Sequence, residues 1–213
     1  MRNETEMPVD DANASTRNEM SQDDANTGTT SDLKAEVAAS EHDVSKLTKS
    51  ELIGSLQNES RILLHLASKV EPHMRDYRPT PKQRSALELL QYLSIMGPEL
   101  VKAARGGAFD RESWGAADKA AKARDWDQTV AALATQGEQY GSMLDGWTDA
   151  DFRADIDPFG RGKTSKGAFL VNMVLGGHAA YRTQLFCYLK SCGRDELSTM
   201  NLWGGMDAPA AQA

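Results

Sequence analysis

The residues best placed to do chemistry in this chain lie on apolar helical faces. In the segment running to Gly193, Val171, Val174, Leu175, His178, Tyr181, Arg182 and Leu185 share one face. His178 and Arg182 are four residues apart, so on a helix they can address the same spot. Gln91 stands beside Leu87, Leu90 and Ser94, and Glu59 interrupts a leucine stripe between Leu56 and Leu63. A carboxylate or guanidinium buried alone is costly, so each needs a partner. We therefore expect one internal polar cluster of Glu59, Gln91, His178 and Arg182, with Glu59 and Arg182 within ion-pair distance. Such a cluster could hold the core together as a hydrogen-bonded network. It could equally hold a small molecule, with Arg182 as charged donor, His178 and Gln91 as hydrogen-bonding groups and Tyr181 as an apolar wall.

Other chemistries find less support. His65 falls opposite the leucine stripe and reads as a surface residue. His73 lies beside Pro72, His42 falls in the N-terminal segment, and none has a second histidine at metal-binding spacing. Gly160-Arg-Gly-Lys-Thr164 lacks the first glycine and the preceding strand of a phosphate loop and reads as a basic turn. No Gly-x-Ser-x-Gly elbow occurs. Cys187 and Cys192 sit five apart on one expected helix, pointing away from each other, which predicts two free thiols.

The elements that must position these residues read as helices. Thr48-Lys-Ser-Glu51 is a capping box, followed by a stripe of Leu52, Leu56, Leu63, Leu66 and Val70 that ends near Pro72 or Met74. The second helix is expected to start at Thr80, with Pro81 in its first turn and Gln83 completing a box. Gly97-Pro98 should kink or interrupt it before it stops at Gly106-Gly107. Residues 106–124 form a long connection with room for a short Ala-rich helix. The third helix opens at Asp125 with Gln128 three residues on, and carries Trp126, Val130, Leu133, Gly137, Tyr140 and Leu144. Residues 146–163 read as an ordered loop over one end of the bundle. The fourth helix runs from about Thr164 to Ser191, with Gly193 as its cap. The fold class expected is all-α, a four-helix bundle.

Of the 213 residues, 40% are hydrophobic and 7% aromatic. The deficit lies in residues 1–43, which hold no aromatic residue and few large aliphatics, so this stretch is expected to be a disordered tail. The bundle is expected over residues 44–207, with residues 208–213 a flexible C-terminus. No run of 18 apolar residues occurs, which predicts no membrane span. A net charge of −7 with dispersed Lys and Arg argues against nucleic acid as a partner. Two isolated cysteines and no secretory signal point to the cytoplasm. A homodimer is compatible with all of this.

The pattern resembles the DinB/YfiT-like superfamily of four-helix-bundle proteins over about residues 45–207. The resemblance rests on Tyr77-Arg-Pro-Thr-Pro81, on the run Ser85-Ala-Leu-Glu-Leu-Leu-Gln-Tyr-Leu-Ser94, and on Tyr-Leu-Lys-Ser-Cys-Gly193. It implies a divalent metal held by three histidines, one on the second helix and two, four apart, on the fourth. It also implies thiol-cofactor-dependent transfer or isomerisation, or hydrolysis. Gln91 matches the histidine of the second helix. His178 and Arg182 match the other two, or Gly177 and Tyr181 do in a register shifted by one. On either register the triad is incomplete: glutamine is a poor ligand and arginine a fixed cation. The expectation is a degenerate metal site with no cofactor, His178 being the one weak candidate ligand, and a bundle that binds a small, anionic molecule. The alternatives are a metal- or thiol-cofactor-dependent transferase or hydrolase, and a non-catalytic scaffold.

Overall fold

A computed structural model describes residues 47–209. The expectations for residues 1–43 and for 210–213 fall outside that range. Helix α1, Lys49–Ala67, starts on the expected box: the Thr48 hydroxyl accepts from the Glu51 amide and the Glu51 carboxylate accepts from the Thr48 amide. Leu52, Leu56, Leu63, Leu66 and Val70 are all buried, as their spacing requires. A 3₁₀ turn, Pro72–Met74, follows.

Helix α2 runs over Ala86–Gly106, not from Thr80. Its cap is Ser85, boxed with Glu88, a second copy of the same signature five residues on. The segment before it folds back: the amides of Ala86 and Leu87 donate to the carbonyls of Tyr77 and Arg75. That tertiary pairing satisfies first-turn donors which a start at Thr80 would leave open, so Pro81 sits in a turn closed by Thr80 and Gln83. Nor does Pro98 interrupt α2. It removes the donor for the Ser94 carbonyl, but the helix is buried on several sides around it, and Gln136 donates to the neighbouring Leu93 carbonyl at 2.8 Å. The end at Gly107 is as expected, with φ +81°.

The long connection contains α3, Arg111–Lys122, packed on α2. The third expected helix is two: α4, Trp126–Ala134, capped by Asp125 with Gln128 as expected, and α5, Gln136–Leu144, separated by Thr135. The covering loop holds a short helix α6, Asp149–Arg153, and a two-residue antiparallel ladder of β1, Asp155–Ile156, with β2, Thr164–Ser165. The last long helix comprises α7, Lys166–Phe169, a π-helical stretch Leu170–Leu175, and α8, Gly176–Ser191. A second π turn, Met200–Gly204, follows and packs on α1 and α8. Four long helical segments thus enclose one leucine-rich core: α1, α2, α4 with α5, and α7 through α8. Among the described residues no helix is long and apolar enough to cross a membrane, and both cysteines are free thiols.

Candidate functional site

The expected single cluster does not assemble; its members separate into three local arrangements. Helix α1 brings Glu59 to Arg182 of α8, with Arg182 Nε 3.1 Å from Glu59 Oε2. Arg182 is 2% exposed. The two atoms face each other as charges but make no aligned hydrogen bond. Burial raises the Glu59 carboxyl above its ordinary range, and the Arg182 charge only partly offsets this. The outer side of the guanidinium is taken up as well: Nη1 donates to the Leu202 carbonyl at 2.5 Å, and the Trp203 ring lies over it at 5.1 Å.

His178, on the first turn of α8 and 1% exposed, meets Tyr140 of α5, its Nε2 2.6 Å from the phenolic oxygen. Both press on Gly97 of α2, where an added Cβ would stand 1.8 Å from the Tyr140 oxygen and 2.9 Å from His178 Nε2. His178 Nδ1 is buried without a hydrogen-bond partner. Burial pushes the imidazole down to about 4, so it is neutral in the physiological range. Nothing in the sequence marked Tyr140 as its partner, because the tyrosine fits the apolar stripe of its own helix.

Gln91 turns the other way. Its amide nitrogen donates to the Arg124 carbonyl at 2.7 Å, and Arg124 in turn donates to the Ser94 hydroxyl at 2.6 Å. Gln91 borders an open groove of about 820 Å³ formed by the 78–92 segment, α3 and Gln184. Four cations line this groove, Arg78, Lys82, Arg84 and Lys122, against two carboxylates, Glu88 and Asp118. Arg78 is paired with Glu88 and Lys122 with Asp118. The Arg84 guanidinium lies 4.0 Å from the centre of the Tyr92 ring, and Tyr181 meets the same ring edge-on at 5.2 Å. Burial, then the neighbouring Tyr181, pushes the Tyr92 hydroxyl up to about 12. Tyr181 therefore supports the groove's aromatic wall from behind. His65, expected at the surface, is instead half-buried and bonded to the C-terminal segment, because the π turn folds back over that side of α1.

The metal implied by the resemblance does not fit these residues. His178 Nε2 is engaged by Tyr140, Gln91 presents its amide nitrogen to a carbonyl, and Arg182 is a cation held by Glu59. Among the described residues no three His, Cys, Asp or Glu side chains converge.

No family model matches the chain, and no curated protein matches it. Its structure is similar to that of YjoA, a DinB-like protein from Bacillus subtilis, with a TM-score of 0.55 and 19% identity over 70% of this chain and 95% of that one. The likeness is one of fold, and the chain has the DinB-like four-helix-bundle fold.

Proposed function

We propose that the protein binds a small anionic molecule, and that it does so in the groove beside Gln91. One observation carries the reading: among the described residues Lys82 and Arg84 line a concave surface with no carboxylate within ion-pair distance of either, Glu88 feeling Arg84 only at longer range. An unpaired cation pair in a chain of net charge −7 is a place where an anion gains both Coulomb energy and hydrogen bonds. Arg84 is stacked on Tyr92, which holds the guanidinium in place and leaves its N–H edge available. Gln91 and Gln184 add neutral polar groups to the same wall. The groove is favoured over the buried members of the expected cluster because Glu59 and Arg182 already spend their charge on each other and His178 its hydrogen bond on Tyr140.

Thermal unfolding of the full chain with and without inorganic phosphate or citrate, each at roughly 10 mM, tests this through the stabilisation that any native-state ligand confers. The reading expects at least one probe to raise the melting temperature of the wild type and to do so much less in Lys82→Ala/Arg84→Ala. Equal shifts in both proteins, or none in the wild type, would count against it.

A further inference from the structure

The C-terminal segment is tied to α1 and α8 by polar bonds and buries little. Within residues 198–207 only Asn201 is fully buried, while Trp203 is 68% exposed and Met200 and Met206 are also exposed. Arg61 donates to the carbonyls of Gly204 and Gly205, Arg182 to that of Leu202, and Lys69 Nζ lies 2.7 Å from Asp207 Oδ2. Segments held this way open locally at a small fraction of the cost of global unfolding.

Asn201 is the central tie, and its amide orientation follows from its neighbours. Its Oδ1 accepts from the Ser198 backbone N–H at 2.8 Å, a group that can only donate. Its Nδ2 donates to Asp207 Oδ1 at 2.9 Å, a carboxylate that can only accept. The same Nδ2 lies 3.0 Å from His65 Nε2. That nitrogen must therefore be an acceptor, which requires a neutral His65 with its proton on Nδ1.

We propose that residues 198–207 are a strap that closes over α1 and α8 only while His65 is neutral, and that protonation of His65 opens it. A proton on Nε2 would set two donors against each other at the buried end of the strap. The charged groups around His65 pull in both directions: Lys69, in the turn after α1, and Arg61 on α1 oppose its protonation, and Asp207, 3.8 Å away, favours it. Burial and the two cations prevail, so the closed form takes up the proton at lower pH than a free histidine. Closure is thus complete above the ordinary histidine range and is lost as pH falls through and below it. Glu59, beneath the strap, acts in the opposite sense, since acid neutralises its buried carboxylate. Opening frees those N–H groups of Arg61 and Arg182 that the strap's carbonyls occupy when it is closed, while Arg182 stays paired with Glu59 and Arg61 with Asn58.

Amide hydrogen exchange on the full chain at about pH 7.5 and about pH 5.5, corrected for intrinsic rates, reads the strap directly. Protection within 198–207 is expected to fall at the lower pH, by at most roughly tenfold, while any fall in α2 reads the separate loss of global stability through His178. In His65→Gln, whose amide oxygen can accept without titrating, the fall should vanish. A flat wild-type response in 198–207, or an equal fall there in His65→Gln, overturns the proposal. Should His65→Gln not fold, imidazole nitrogen shifts of the wild type decide: a proton on Nδ1 at neutral pH is required, and one on Nε2 refutes it.

Discussion

The phenolic oxygen of Tyr140 and Nε2 of His178 lie 2.6 Å apart against the bare Cα of Gly97, so three helices meet at one buried hydrogen bond. The close approach exists because residue 97 has no side chain. It also places the glycine immediately before Pro98, in a helix that continues through both.

Gly97→Ala should therefore be among the more damaging single-methyl additions in this core. Overpacking of this kind costs about 1–3 kcal/mol. Tyr140→Phe removes the nearest atom, the oxygen at 1.8 Å, so the methyl should cost less in that background, although the ring carbon at 2.8 Å still crowds it and Tyr140→Phe carries its own cost by leaving His178 Nε2 without its partner. Denaturant unfolding of the two single variants and the double variant measures this. A cost of Gly97→Ala as large in the Tyr140→Phe background as in the wild type would mean that the hydroxyl is not what the methyl meets.

The Glu59–Arg182 pair should be coupled. Removing one partner strands a buried charge, and Glu59→Leu and Arg182→Met should each cost on the order of 3 kcal/mol, with the double variant costing much less than their sum. Additive losses would mean the two charges do not feel each other at 3.1 Å.

His178 sets an acid limit on stability. Its folded value near 4 lies below the unfolded value of 6.5, so the unfolded chain binds the proton first as pH falls. The contribution is fully present above about 6.5 and is lost progressively down to about 4, amounting to roughly 3 kcal/mol at full protonation. Stability measured across that window should slope downward toward acid, and His178→Gln should flatten the slope. An unchanged slope would assign the acid sensitivity to other groups.

Elemental analysis of protein purified without chelator should find well under one equivalent of zinc, nickel or iron per chain. The reason is the engagement of His178 by Tyr140 and the charge of Arg182. Near one equivalent, lost in His178→Ala, would reverse the assignment.

Features governed by neighbours along the chain are legible in the sequence alone. The Thr48–Glu51 and Asp125–Gln128 boxes, the α1 leucine stripe and the stop at Gly107 depend on contacts within one or two turns. The Glu59–Arg182 pair is legible for a different reason, since two charges buried on facing stripes leave each other as the economical partner. Where two local signals compete, sequence does not choose between them. The expected start at Thr80–Gln83 passes over Ser85-x-x-Glu88, which carries the same signature, and the carbonyls of Arg75 and Tyr77 make the choice by capping the later start. His178 and Gln91 have neutral polar groups that many partners can satisfy, so only the helix packing decides that one meets Tyr140 and the other the Arg124 carbonyl. Likewise the cations look dispersed along the chain, because Arg78, Lys82 and Arg84 come from one segment and Lys122 from α3 about forty residues on. Side-chain type and spacing set what each residue must satisfy. Which group satisfies it, and whether charges gather on one surface, depends on contacts between distant segments that only the packed chain brings together.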